Sequence, residues 1–359
     1  MTNDLLADQR MERIASSLHQ RFEVWLIGRG YPDSPPLPAQ PYRQTRLRCY
    51  FRSGKTFYIE YHLRLFFFLL FQPKANVYAA VDLDTIMPCW FTARLFGRKV
   101  ILDAHEWFTE VPEVERRPLI RKIWLAIEKL FVPRLDGMYT VSESIAHHYA
   151  STYMLPVAVI RNVPKVLPAD AVSFASPVNG PFILYQGAVN EGRGLEQLIQ
   201  AAPRLPMPVV IAGSGDVFTA LSQQAAQSPA STAIFFTGRL SPAQLRSLTK
   251  QAWLGINLLE SRSKSYYFSL ANKFFDYPMA GIPQLCMNFP EYQKINEACP
   301  VALLLSDIQP DTIADAINRL WDDMEKYSQL QVNCSLFSRT YHWGEEEKKL
   351  MNWYEQLLG

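Results

Sequence analysis

In the stretch SYYFSLANKFFDYPMAGIPQL, residues 265–285, a cation and a carboxylate, Lys273 and Asp276, stand three residues apart among aromatic and aliphatic neighbours. At that spacing both side chains share one face if the stretch is helical. A plain helical ion pair is one explanation. Such pairs contribute only tenths of a kcal/mol and need no apolar surroundings, so a ligand-binding pair is the other. Further reactive side chains follow short apolar runs: His105 and Glu106 after KVILDA; Asn190, Glu191, Gly192, Arg193 and Gly194 after FILYQG; Ser214, Gly215 and Asp216 after PVVIAG; Glu260 after LGINLL. Glycines at such turns let the backbone approach a ligand, and the helix starts behind them attract phosphate. Taken singly, each turn is also compatible with an ordinary loop, His105 with a structural histidine, and Arg193 with a solvated arginine. Several on one edge of one domain point to a nucleotide or pyrophosphate site.

The elements that must position these residues are short apolar strands alternating with helix-length amphipathic segments. The predicted strands are EVWLIG, NVYAAV, KVILDA, GMYTV and AVIRNV, then FILYQG, PVVIAG, AIFFTG and LGINLL; MERIASSLHQ, LIRKIWLAIEKLF and GLEQLIQAAPRL read as helices between them. This alternation predicts an α/β fold of parallel, doubly wound sheets. Residues 162–181, rich in Pro, Ala and Ser and without helical period, interrupt it. We therefore expect a first domain over 1–165, a linker over 166–181, a second domain over 182–339, and a final amphipathic helix in 340–359. In doubly wound domains, ligands bind beyond the carboxyl ends of the strands, which is where the residues above fall.

Composition narrows the class. With 359 residues, 48% hydrophobic and 19% charged, the chain is globular and long enough for about two domains. Five scattered cysteines (Cys49, Cys89, Cys286, Cys299, Cys334) have no metal-ligand spacing, and His147 and His148 have no cysteine nearby, so reduced thiols in a cytoplasmic protein are expected and no metal site is. No cationic, apolar secretory signal opens the chain, and the run FFFLLF, even extended back to Phe57, contains Glu60, His62 and Arg64 and falls short of the roughly 20 residues of a membrane span. This helix is expected to pack or to lie on a surface. Residues 1–165 hold 22 Lys and Arg against 16 Asp and Glu, and the remainder 14 against 18, so the first part is +6 and the second −4. Arg43, Arg46, Arg48, Arg52 and Lys55 precede the aromatic helix directly. They are either solvated surface charge or a basic face that meets anionic lipid or a phosphate-bearing acceptor. Nucleic acid is not an expected partner.

Nearly the whole chain resembles the GT-B glycosyltransferases, and within them the retaining family 4 group (glycosyl transferases group 1). The resemblance is carried by DQRMERIASSL, VDLDTIMP, DAHEWFTEVPE, YTVSESIAHHY, VIRNVP, YQGAVNEGRGLEQLI, IAGSGD and SLANKFFDYPMAGIPQL followed by FPEYQKINE, in that order and spacing. It implies two Rossmann-like domains facing across a cleft, the last helix crossing back to the first domain, and transfer of a sugar from a nucleotide sugar with retention of configuration and no bound metal. It further implies that Asp276, at the second carboxylate of the family's Glu-x7-Glu element, holds the ribose hydroxyls, and that amides at Ser269 and Leu270, at the start of the helix, cradle the pyrophosphate. Arg193, at the family's phosphate-binding lysine position, would neutralise the leaving diphosphate together with Lys273. His105 would contact the transferred sugar and Glu106 orient acceptor or donor, with Glu110 and Glu113 as weaker alternatives. Gly187, Gly213, Gly215, Arg239 and Asn272 complete the implied donor site. A UDP-sugar is expected before a GDP-sugar, with a glycan or lipid-linked acceptor in cell-envelope polysaccharide synthesis and peripheral contact with an anionic membrane at its inner face.

Three departures from the family pattern stand out. Phe268 falls where the first glutamate of Glu-x7-Glu is usual, Ala188 where an arginine is frequent, and no apolar strand precedes the first helix. They keep open a GT-B-like subunit that binds a nucleotide or glycan without turning it over. A sugar-nucleotide epimerase would need a carboxylate pair beside His105, which the sequence does not reveal.

Overall fold

The computed structural model describes residues 1–6, 8–166 and 173–359. The chain divides into two compact units, Met1–Asn162 with Glu346–Gly359, and Val163–Glu345. In the first unit, β1 (Trp25–Gly30) and β2 (Arg43–Arg48) form a parallel pair, and β3 (Val77–Val81), β4 (Lys99–Ala104), β5 (Gly137–Thr140) and β6 (Val157–Val159) form a second parallel sheet in that order. The first sheet of the unit is thus built in two pieces. Where a central first strand would normally lie, residue Asp4 makes an isolated parallel bridge to Arg29 ahead of the helix Gln9–Leu18. RQTRLR, whose arginines read from the sequence as solvated surface charge or as a basic face, is strand β2. Its charges are tolerated because it lies at the edge of its sheet, with Leu47 buried and Arg46 paired to Asp4 at 2.6 Å. Of AVIRNV, residues 158–163, only Ala158 and Val159 fall in β6, which starts one residue earlier, although Ile160 still donates to the Thr140 carbonyl at 2.8 Å.

Consecutive strand order with right-handed crossovers puts the helices that follow β3, β4 and β5 on one face of the second sheet. Ile86–Leu95 and Pro118–Phe131 touch through Phe91 and Phe131, with ring centroids 5.7 Å apart. The aromatic helix Gly54–Leu70 joins them through Tyr58 against Trp124 at 5.5 Å, and buries Phe57, Tyr61, Leu65 and Leu69, every fourth residue. The last helix, Trp343–Leu358, packs Trp353 edge-on against Tyr139 of β5 at 5.0 Å.

The second unit holds one six-stranded parallel sheet: β7 (Ile183–Gln186), β8 (Val209–Ala212), β9 (Ile234–Gly238), β10 (Leu254–Asn257), β11 (Gln284–Met287) and β12 (Ala302–Leu305), in the order β12-β11-β10-β7-β8-β9. QLCM and ALLL, which become β11 and β12, are not among the strands read from the sequence. The order reverses between β7 and β10, and the crevice outside that switch point is the default ligand site of such a sheet. One core cluster joins Phe182, Leu184, Val210, Leu248, Tyr277 and Ile282, and Phe174 and Val178 pack onto it. Of the predicted linker, residues 167–172 lie outside the described residues; Phe174 is held to the unit by its N–H donating to Ser247 Oγ at 2.9 Å.

Candidate functional site

The helix expected through residues 265–285 is two short helices, Lys264–Tyr267 and Lys273–Met279. Local side-chain bonds compete with helix continuation between them. Ser269 Oγ donates to the Tyr266 carbonyl at 2.8 Å, and the Ala271 N–H donates to Tyr292 Oη at 3.1 Å. Ser269 and Leu270 therefore precede the helix rather than start it, and the Ser269 N–H already donates to Tyr266 at 3.2 Å. Pro278 inside the second helix cannot bond the carbonyl of Phe274; Gln284 Nε2 does so instead, at 2.8 Å.

That second helix carries Lys273 into the sheet's crevice. The residue is 8% exposed, its ammonium has no hydrogen-bond partner, and Nζ lies 3.9 Å from the centroid of the Tyr185 ring. Burial, then the positive charge of Arg193, pushes its pKa well below the ordinary lysine value, against the opposing pull of Asp276. Gly187 lies beside that ammonium with φ at +125°, a backbone conformation that side-chain-bearing residues rarely adopt. Arg193, in the loop after β7, stacks its guanidinium 4.9 Å over Tyr266 and leaves Nε buried without a partner. Two cations with unmet donors at the mouth of β7 make an anion site, since an unpaired buried charge is costly until a counter-charge arrives. Beside them, Asp276 accepts from Gln186 Nε2 at 3.4 Å, while Thr249 Oγ1 donates to Gln186 Oε1 at 2.7 Å and fixes which way the amide points.

The first unit contributes a different centre. His105 follows β4 with its Nε2 3.3 Å from Asp103 Oδ2 and its Nδ1 3.5 Å from Asp82 Oδ2, and its N–H donates to Asp82 Oδ1 at 2.7 Å. Burial opposes protonation, but Asp82 and Asp103 outweigh it and lift the imidazole to about 9. Asp103 is itself held by Arg10 at 2.8 Å, both side chains almost fully buried. Despite burial, Arg10 and His105 bring the Asp103 carboxyl down to about 2. Asp82 aims its carboxylate from a left-handed backbone, φ 57°, at the end of β3, a conformation that costs a non-glycine residue about 1–2 kcal/mol. The sequence reveals no carboxylate pair beside His105, yet the fold brings two. Both neutralise a histidinium, which makes His105 a fixed hydrogen-bond donor rather than a base. Glu106 is exposed, though crowding by protein and then the charge of Asp82 raise its carboxyl. Glu110 is buried and bound by Arg121, and Glu113 is exposed.

The structure thus gathers Gly187, Arg193, Lys273 and Asp276 around the ends of β7 and β10. Arg239 stands exposed after β9, with β8 between it and β7. Glu260 pairs with Arg262 at 3.3 Å, its N–H donating to the Gly192 carbonyl at 2.9 Å. Phe268, where a glutamate is usual, rests edge-on against Tyr267. Asn272 caps the second helix from the backbone side only. Gly213 and Gly215 serve the close approach of two loops: a Cβ on Gly213, where φ is +156°, would fall 1.8 Å from the Gly187 carbonyl oxygen, and one on Gly215 2.3 Å from that of Val189. Gly213→Ala is therefore expected to lose about 4 kcal/mol or more in urea unfolding, whereas Gly238→Ala, with open space around it, loses about 1–2 kcal/mol. Sequence reading missed Gln186, Tyr185, Asp82, Asp103 and Arg10. The one available signal was a lone aspartate closing the apolar strand KVILDA.

Residues 168–334 match the model of the family described as glycosyl transferases group 1. The matched stretch lies within the second unit and is a little under half of the chain, so it is that unit that is similar to the glycosyl transferases group 1. Among solved structures, this chain is similar to Anabaena HepE, determined in complex with UDP, at 11% identity and a TM-score of 0.72 over 96% of this chain and 95% of that one. Sucrose-phosphate synthase from Thermosynechococcus elongatus follows the same path at 16% identity and a TM-score of 0.76, over 96% and 92%. A UDP-forming trehalose-phosphate synthase from Burkholderia xenovorans matches at 14% identity and a TM-score of 0.63, over 84% and 79%. No curated protein sequence matches. At these identities the structural likeness establishes the fold, the GT-B architecture of two successive Rossmann-like units.

Proposed function

We propose that this protein is a glycosyltransferase that moves a sugar from a UDP-sugar to a glycan or lipid-linked acceptor with retention of configuration, in cell-envelope polysaccharide synthesis, working peripherally at the inner face of an anionic membrane. The observation that carries the donor assignment is the buried, unpartnered ammonium of Lys273 beside Gly187 and Arg193. A diphosphate there supplies the missing counter-charge, and Asp276, held by Gln186, lies within the same crevice to accept ribose hydroxyls. As the glycosidic bond breaks, negative charge grows on the diphosphate, and Lys273 and Arg193 stabilise it most when it is greatest, so no metal is required in this scheme. A donor phosphate oxygen takes the acceptor proton on the leaving-group face. His105, charged between Asp82 and Asp103, contacts the transferred sugar, and Glu106 orients acceptor or donor. The choice of UDP draws on HepE, which was solved with UDP and with UDP-glucose.

Calorimetric titration with UDP, GDP, ADP and dTDP in the presence of a chelator tests the donor site; UDP is expected to bind most tightly. Asp276→Ala is expected to weaken UDP binding by about 1–3 kcal/mol, the cost of hydrogen bonds to a charged group left unmade. Arg193→Ala is expected to lower kcat more than donor affinity. Equal binding of all four nucleotides by both variants and the native chain sinks the assignment. A non-catalytic binding subunit is the second reading, favoured by Phe268, and it predicts UDP binding without release of free UDP from UDP-sugars in the presence of any acceptor.

A further inference from the structure

We infer that the helical face of the first unit built by Gly54–Leu70, Ile86–Leu95 and Pro118–Phe131 docks on an anionic lipid bilayer; this deepens the proposed peripheral location and rests on it only for the class of partner. The helix Gly54–Leu70 is apolar on both sides. Opposite its buried stripe, Ile59, Leu63 and Phe67, with Phe71 just past its end, repeat every fourth residue and are 59%, 53%, 54% and 80% exposed. Glu60 and Arg64 pair with each other on this helix, and an exposed apolar stripe of this length beside them marks an interaction surface. The neighbouring helices extend it: Phe91 and Leu95 are 50% and 64% exposed on one, Leu119 and Ile123 72% and 51% on the other. No helix of the described residues is long and apolar enough to cross a membrane, so this face would lie on the surface rather than insert through it.

Charge selects the occupant. Exposed Arg48, Lys55, Arg117 and Lys122 stand on β2 and on or beside the same helices without an ion-pair partner among the described residues. A groove between β2 and the helix Gly54–Leu70 is floored by Leu47, Leu63, Phe67 and Phe68 and edged by Arg48 and Arg64, which suits an acyl chain beneath a phosphate head group. Two copies of the chain joined through this face would bring like charges together. An anionic leaflet meets the apolar stripe and the cations at once.

The test is co-sedimentation with vesicles of phosphatidylcholine alone and of phosphatidylcholine with phosphatidylglycerol, at low and high salt. The native chain is expected to partition at least about tenfold more onto the anionic vesicles, with the excess lost as salt screens it. Leu63→Glu/Phe67→Glu is expected to lose at least about tenfold of that partition. The control Val332→Glu/Leu336→Glu, altering exposed residues of the second unit, is expected to lose none. A UDP-induced thermal shift, read on every variant, reports folding and the donor site separately from the membrane. Undiminished binding by Leu63→Glu/Phe67→Glu overturns this face and leaves the peripheral reading standing. Failure of the native chain to prefer anionic vesicles overturns both, and a retained UDP shift then leaves the glycosyltransferase reading untouched. A concentration-dependent dimer abolished by the same double substitution, with no vesicle binding, would make the face a contact between copies and overturn the lipid assignment.

Discussion

Lys273→Met is expected to make the ligand-free protein more stable while removing donor binding. The native ammonium is buried without a hydrogen-bond partner, beside a second cation, Arg193. An apolar side chain of similar length removes that desolvation cost and keeps the packing over Tyr185, so unfolding free energy should rise by about 1–4 kcal/mol, the range found when buried charges give way to hydrophobic residues. For a unit of this size that is roughly 2–4 °C of Tm per kcal/mol. UDP binding should fall by at least about a hundredfold, because the diphosphate then loses a buried charge-assisted partner. A structural lysine predicts the reverse: lower Tm and unchanged UDP affinity. The same geometry sets the pH dependence of binding. Lys273 holds its proton weakly in the empty site, and a diphosphate restores it, so UDP binding should take up protons. Affinity should decline as pH rises, by up to about tenfold per unit, and calorimetry in buffers of different ionisation enthalpy reads the uptake directly. In Lys273→Met both the uptake and the slope should vanish.

The parallel α/β class was legible because buried parallel strands are written as short continuous apolar runs, and nine of the twelve strands carry one. The others were missed. Strand β2 is RQTRLR, whose edge position and pairing with Asp4 allow a strand with three arginines. Strands β11 and β12 went unread although they are as long as β7, β8 and β10, so length does not account for them. The helix through residues 265–285 reads as continuous because Phe, Tyr and Leu fill its period. Ser269 and Tyr292 break it, and a bond to Tyr292 is invisible in a local window. Lys273 and Asp276 were visible as an anomaly of composition. What makes Lys273 informative, the absence of a partner, exists only after folding has taken it from water. The group around His105 was half visible: the histidine follows a strand, but Asp82 comes from the preceding strand and Arg10 from a helix 93 residues before Asp103. No local spacing joins them.

That group carries the second large effect. Asp103→Asn is expected to lower unfolding free energy by about 3–5 kcal/mol, because it leaves Arg10 and His105 as buried cations facing a neutral amide. The loss should change with pH in a defined direction. His105 is raised from 6.5 to about 9 in the native chain, so its contribution is whole below pH 6.5 and disappears as pH rises through 9. Asp103 is lowered from 3.8 to about 2, so its contribution is whole above pH 3.8 and disappears as pH falls toward 2. Asp84, buried and raised to about 7, works in the same sense as His105: the folded chain retains a proton the unfolded chain releases, and stability drops as pH climbs from 4 to 7. Lys273 works oppositely, its folding penalty shrinking as pH rises, but it belongs to the other unit and is common to both proteins. The difference between native and Asp103→Asn chains therefore isolates the His105 group. Urea midpoints at pH 6, 7.5 and 9 should show that difference narrowing as His105 loses its proton in the native chain. A difference constant across that range would mean that His105 is neutral there, and with it would go the charged contact assigned to the transferred sugar.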